Sequence, residues 1–345
     1  MSRITYPEPR VAIPTYGTNL IQNLPASLLQ RPVVLTQPEP WALVEKLFDK
    51  SNLQLHMVET MEESVVQEVT RSFSQASAIL GIGGGSALDH AKYVAWKTNI
   101  PLVLVPTILS VDAAYTKAIG VRQGARVRYV GEVFPEHLLV DFDIVRQAPP
   151  ILNRSGVGDI LSIFTALWDW REANRKNGEF YDPHIAEDSL KLLQRLLDAP
   201  EDIRDITPEG IRLLSDLYVG EVRLCEMVGN SRPEEGSEHY IAYCLESLTQ
   251  RPYIHGQLIG LCVLLAGAYQ GQDIAPISGF LKAVDLDCSP EALNVTIDEL
   301  KQALAHMGTY VRNETQLLPG VFHFNEGLSE EKINELLNQV LGESG

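Results

Sequence analysis

Apolar positions fall into two rhythms along this chain, and the change comes near residues 146–150, RQAPP. Before it, short apolar and β-branched runs alternate with segments of helical period. Residues 32–36 (PVVLT), 53–58 (LQLHMV), 78–82 (AILGI) and 101–105 (PLVLV) read as strands. Residues 41–50, 63–74 and 87–97 read as helices. Strand, helix and strand at this spacing predict a parallel, doubly wound sheet. Residues 126–133 and 138–140 look like further strands. After the change, strand candidates almost vanish and long helical patterns follow at 160–175, 185–197, 210–228, 239–248, 256–269 and 298–312. The expected fold is α/β: a nucleotide-type domain with a doubly wound parallel sheet over residues 1–147, then an all-helical domain over 148–345.

Charge narrows the class of partner. The 345 residues carry 28 Lys+Arg against 45 Asp+Glu, a net charge of -17, with no basic run. Such a chain repels nucleic acid and anionic membrane. A small-molecule substrate is therefore expected, with no nucleic-acid or membrane partner. The cysteines are Cys225, Cys244, Cys262 and Cys288, with no C-x-x-C pair. That usage fits free thiols in a reducing cytosol. The opening MSRITYPEPRVAIP has no apolar core of a signal peptide, and no apolar run reaches the ~18 residues of a membrane helix. A cytoplasmic protein is the expectation.

Two loops carry candidate chemistry in the first half. GIGGGSALDHAK, residues 81–92, follows a strand and opens a helix. Glycines there let a backbone approach a phosphate, and the helix end supplies free N–H groups. The dinucleotide fingerprint is incomplete: its third glycine would fall at Ser86, and no acidic residue closes the following strand. Phosphate binding and a plain tight turn both remain open. Asp89 and Lys92, three apart, read as a surface ion pair. The second loop, VPTILSVDAAYTKA, ends the next strand, and ligands of parallel sheets sit at strand carboxyl ends. Thr107, Ser110 and Thr116 offer hydroxyls there and Asp112 a carboxylate. Equally, the hydroxyls can satisfy the loop backbone while Asp112 caps the next helix.

In the helical half, Asp159 begins one helix, His239 another, and His255 a third that is apolar nearly all round. One aspartate and two histidines with an open position suit Zn2+ or Fe2+. The spacing of the histidines does not by itself separate ligands from ordinary helix residues.

Taken in order, GGGSALDHAK, PTILSVD, SGVGDILSIFTALWDW, SRPEEGSEH and HGQLIG resemble one superfamily: the iron- or zinc-dependent alcohol and glycerol dehydrogenases, glycerol-1-phosphate dehydrogenase and dehydroquinate synthase. Residues 158–170 and 231–239 resemble the glycerol-1-phosphate dehydrogenase branch in particular. The resemblance implies a Rossmann-like first domain and a metal held by Asp159, His239 and His255. That metal is Zn2+ first, with Fe2+ or Ni2+ as alternatives. It implies cofactor contacts from Gly84, Gly85, Ser86, Ala87, Leu88 and Asp89, and from Thr107, Ile108, Leu109, Ser110 and Thr116. It places Asp112 and Tyr243 at the substrate. The implied reaction is hydride transfer between a nicotinamide cofactor and a small polyol, polyol phosphate or ketone, in a homo-oligomer.

Three departures qualify that picture. The family pattern places a second histidine one turn after the first; here it is Tyr243, still on the same helix face. A phenol donates hydrogen bonds but is a poor base at neutral pH, with a pKa near ~10. Glu234 and Glu235 stand between SRP and GSEH. Near the pocket they would repel a phosphate ester; the alternative is that they point to solvent. Finally, Thr36-Gln37-Pro38 carries no carboxylate for a ribose hydroxyl, so NAD and NADP are equally expected. Two other readings stand beside the dehydrogenase. One is a synthase that forms a carbocycle, against which an aspartate at 159 argues. The other is a non-catalytic nucleotide-binding protein, against which three intact ligands argue.

Overall fold

The computed structural model describes residue 6 and residues 8–73, 75–124, 126–314, 316–325 and 327–342, with the Arg126 side chain left aside. Ser74, the last residue of one expected helix, lies outside these, as do the first five residues of the opening segment. Among the described residues eight strands form: β1 (Pro14–Gly17), β2 (Pro32–Thr36), β3 (Gln54–Met57), β4 (Ala78–Gly83), β5 (Leu102–Pro106), β6 (Ala118–Gln123), β7 (Arg126–Glu132) and β8 (His137–Asp141). Six make one parallel sheet in the order β1-β8-β5-β4-β2-β3. Every residue of β2, β4 and β5 is buried. Strands covered on both faces need unbroken apolar runs, and PVVLT, AILGIG and LVLVP supply them. Chain order reverses between β2 and β4, so the loop after β4 leaves the sheet beside the switch point.

Some elements differ from expectation. β1 and β6 join the expected strands, and β7 pairs antiparallel with β6 in a separate two-stranded ribbon. The helix expected over 41–50 begins at Pro38, where the ring presets the helical φ, and ends at Val44 before a short 3-10 turn.

The chain divides into two compact units. The sheet unit comprises Arg10–Asn153 and Ile206–Val222; the helical unit comprises Arg154–Asp205, Arg223–Gly345 and the described part of Met1–Pro9. The line thus falls after Asn153 and not after residue 147. Asn153 accounts for this: its side chain donates to Val145 O at 2.8 Å and accepts from Leu109 N at 3.1 Å. Residues 206–222 join the sheet unit through Tyr16, which donates to Asp216, and Tyr218, which donates to Leu109 O at 3.1 Å.

The helical unit is built on Val157–Asn177, Ser237–Thr249 and His255–Tyr269, with Pro183–Leu197, Ile297–Asn313 and Glu330–Leu341 around them. No strand is found among its described residues. The His255 helix is almost wholly buried, as its apolar sequence demands. Its start meets the start of the Asp159 helix backbone to backbone. A Cβ on Gly256 would lie 1.7 Å from Ser155 O, and one on Gly158 would lie 2.4 Å from Gly256 O. Two glycines permit that approach, and their chain neighbours are His255 and Asp159. No helix among the described residues is long and apolar enough to cross a membrane.

Candidate functional site

Three helix starts in the helical unit bring Asp159, His239 and His255 together, with one potential ligand atom from each within 4.8 Å of the others. His255 Nε2 lies 3.3 Å from Asp159 Oδ1, and the two imidazole centroids are 5.3 Å apart. The donor set, one carboxylate and two imidazoles, suits a borderline divalent cation. Asp159 Oδ1 supplies an independent test of fit. It is buried and accepts no hydrogen bond. Buried carboxylate oxygens are normally satisfied, so this one fits a cation.

The support around the trio escaped sequence reasoning. Glu238 is wholly buried and accepts from His239 Nδ1 at 2.8 Å, from Gly236 N at 2.6 Å and from Thr165 Oγ1. That bond makes Nδ1 the protonated nitrogen and leaves Nε2 for a ligand role. Burial works against a charged His239. The hydrogen bond to Glu238 and the charges of Glu235, Glu238 and Asp159 outweigh it and raise its pKa to about 9. Asp169 accepts Ser237 N at 2.7 Å, caps the start of the His239 helix, and also binds Val321 N at 2.8 Å. The only sequence signal for Glu238 was its place before His239, and an acid in a first helical turn is ordinarily read as a complement to the dipole.

Tyr243 lies one turn below His239, with ring centroids 5.8 Å apart. Its hydroxyl donates to Glu235 Oε1 at 3.1 Å. Glu234 and Glu235 are both half-buried, and Glu234 Oε2 is shut off from solvent, so the solvent-facing reading is corrected. Ser162 Oγ donates to Glu234 O and to Asp159 O, which ties this turn to the ligand helix.

In the sheet unit, the loops after β4 and β5 meet. A Cβ on Gly84 would approach Ile108 Cδ1 to 2.8 Å, and one on Gly85 would approach Val111 Cγ2 to 3.2 Å. Gly83 adopts φ +152°, a conformation open to glycine. The helix Gly85–Thr98 makes its first bond from Leu88 N to Gly84 O at 3.1 Å, so the N–H groups of Gly85, exposed Ser86 and Ala87 precede the ladder. That end fits a phosphate.

Other residues of these loops take defined roles. Asp89 is no surface pair: it lies 2.7 Å from Lys92, which is fully buried and also donates to Ala118 O. Asp112 is no cap either. Val111 holds the cap position with no side-chain bond, and Asp112 opens a 3-10 turn. Thr107 is buried, and its N–H donates to Gly83 O at 3.0 Å. Thr116 Oγ1 accepts from Ala118 N at 3.3 Å. The N–H and C=O of buried Leu109 are taken by Asn153 and Tyr218. Ile108 and Ser110 are half-buried in the same loop.

Comparison with known proteins adds the following. The profile of the iron-containing alcohol dehydrogenase family matches residues 36–149. A glycerol-1-phosphate dehydrogenase [NAD(P)+] of Cenarchaeum symbiosum is 31% identical over 254 residues, covering 72% of this chain and 70% of that protein. The Staphylothermus marinus protein of that name is 26% identical over 341 residues, covering 94% of each chain. Among solved structures, a probable glycerol dehydrogenase from Sinorhizobium meliloti superposes with a TM-score of 0.72 at 17% identity, covering 99% of each chain. Glycerol dehydrogenase from Schizosaccharomyces pombe superposes at 0.67 with 19% identity, covering 99% of this chain and 93% of that one. These likenesses establish the same two-part fold.

Proposed function

The chain belongs to the glycerol-1-phosphate dehydrogenase family, and on that premise we propose a metal-dependent, NAD(P)-linked dehydrogenase of small polyols or polyol phosphates. The observation that carries the reading is the convergence of Asp159, His239 and His255 around a buried carboxylate oxygen with no hydrogen bond. The relatives named above, glycerol-1-phosphate dehydrogenases using NAD(P)+, support the cofactor and substrate class.

We assign the three side chains as ligands of one divalent cation, Zn2+ first, with Fe2+ or Ni2+ as alternatives. When bound, that cation supplies Lewis acidity toward a substrate oxygen. The backbone of Gly84–Asp89 would cradle the cofactor's phosphates, with Thr107–Ser110 and Thr116 beside it. NAD and NADP both remain assigned. In oxidation the substrate carbon gives up a hydride and its hydroxyl a proton; reduction reverses both. Asp112 would orient a second substrate hydroxyl, and Tyr243 would hydrogen-bond the substrate. Free thiols at Cys225, Cys244, Cys262 and Cys288 fit the reducing cytosol we assign. Family membership supports a homo-oligomer.

The test is oxidation of NADH and NADPH by protein loaded with Zn2+, Ni2+ or Fe2+, with dihydroxyacetone or dihydroxyacetone phosphate. Turnover of either ketone, lost on chelation, is expected. Protein that binds metal and cofactor yet reduces neither ketone overturns the reading.

A further inference from the structure

Four features of the helical unit bear on what the site admits. Residues 231–235 form a tight turn in which Glu234 N and Glu235 N both donate to Ser231 O, at 2.9 and 2.8 Å. Ser162 Oγ pins that turn to the helix of Asp159 by donating to both Glu234 O and Asp159 O. Glu235 is thereby held near the trio, not on a free loop. Its carboxylate then accepts the Tyr243 hydroxyl at 3.1 Å, and the Tyr243 ring lies one turn from ligand candidate His239, tilted against its ring with centroids 5.8 Å apart.

The direction of that bond matters. With its hydrogen committed to Glu235, the phenol has acceptor capacity but no donor for a ligand, and the carboxylate adds further acceptors. Such a surface suits substrate hydroxyls, which donate. A phosphate dianion has nothing to donate and carries the wrong charge. Charge points the same way. Asp159, Glu235 and Glu238 bring three carboxylates to this end of the unit, more than a divalent cation neutralises. The cation nearest in sequence, Arg232, is fully buried and bound in a fork to Glu179, at 2.6 Å through Nε and 2.6 Å through a terminal nitrogen. It therefore does not offset Glu235.

We propose that Glu235 and Tyr243 form a specificity pair that admits uncharged polyols and hydroxyketones and turns away their phosphate esters. This rests on the dehydrogenase reading and sharpens it. The two departures from the family pattern, the extra acid and the tyrosine, become one coupled device. Selection works by repulsion of the wrong substrate as much as by attraction of the right one.

The experiment uses the metal-loaded full chain and two independent readouts. The first is kcat/KM for dihydroxyacetone and for its phosphate. The second is calorimetric titration with glycerol 1-phosphate, which needs no turnover. The wild type is expected to favour the free ketone. Glu235→Gln, close in shape, should shift the ratio toward the ester by about 10- to 100-fold and tighten glycerol 1-phosphate binding to match. That gain should shrink as salt is raised, which a merely structural role would not produce. Tyr243→His, which adds a donor on the same face, should move the ratio the same way. Tyr243→Phe keeps the charge but loses the acceptor oxygen and its bond to Glu235, so it should still exclude the ester while lowering kcat/KM for the free ketone; unchanged kinetics with the ketone would remove Tyr243 from the pair. A wild type that prefers the ester, or an unchanged ratio and unchanged ester affinity in Glu235→Gln, overturns the pair. If no form reduces either ketone, the dehydrogenase reading fails by itself. The titration still decides whether Glu235 excludes the ester.

Discussion

The two units hold their candidate chemistry by opposite means. In the sheet unit it lies in the main chain: the N–H groups at the start of Gly85–Thr98, and glycines whose missing Cβ lets two loops meet. In the helical unit it lies in side chains, and each is held by another buried side chain or by a close helix crossing. A backbone site tolerates changes of side-chain chemistry but not an added methyl. A side-chain site is lost with one imidazole, while its scaffold stands.

The largest expected effect breaks the side-chain site alone. His255→Ala should reduce bound metal, measured by elemental analysis, from one per chain to near none, and turnover to background. Stability should change by less than about 1 kcal/mol, because the His255 side chain is 31% exposed. Cofactor affinity should be retained. Full activity in this variant would remove His255 from the ligand set. Glu238→Gln should act next most strongly. Its amide oxygen can stay on His239 Nδ1 and Gly236 N only with the amide nitrogen turned to Thr165, and loss of the carboxylate charge weakens the bond that orients His239. Metal affinity should fall by about 10- to 100-fold, with one site still filled at saturation. Unchanged affinity by competition with a chelator would reduce Glu238 to packing.

Gly83→Ala tests the other side of the comparison. Its φ of +152° resists any side chain, and a Cβ there would lie 2.8 Å from Ala87 Cβ. A cost of about 1–3 kcal/mol is expected, with weaker NAD(P) binding and unchanged metal content. Metal loss in this variant would mean the two sites are not separable as described.

What could be read from the sequence follows the same division. β2, β4 and β5 were legible because burial on both faces forces continuous apolar runs. β1, four residues with a proline and a glycine, and β6, ending in exposed Arg122 and Gln123, carried no such run. Helix starts came late in the reading because Gly85, Pro183 and Pro208 open helices without adding to their apolar period. Asp159, His239 and His255 could be named as candidates from their helix starts and donor chemistry, but only the resemblance set them apart from ordinary helix residues, since spacing does not show that three helix starts meet. Glu238 and Asp169 stayed hidden because their partners are Thr165, Ser237 and Val321, contacts that only the folded unit creates. The Tyr243–Glu235 bond was out of reach for the same reason.

The smallest expected effect is a pH dependence confined to the helical unit. Asp169 is fully buried beneath the His239 helix and accepts Ser237 N, Val321 N and, at 3.1 Å, Gln270 Nε2. Burial, then the charge of Glu238, pushes its pKa up from 3.8 to about 7, against the Ser237 hydroxyl and the two backbone donors. Between those values the folded chain holds a proton that the unfolded chain has lost. The stabilisation is complete below the ordinary carboxylate range and disappears as pH rises through about 7. Metal-free protein should therefore melt lower at about pH 8 than at about pH 5. Asp169→Asn should be less stable throughout, because its amide nitrogen meets donors. It should also have a flatter pH slope, by a few degrees across that window. Identical slopes in the two proteins would mean that Asp169 stays ionised and that its N–H donors, not burial, govern it. NAD(P) affinity, which we assign to main-chain groups of the other unit, should show no matching inflection.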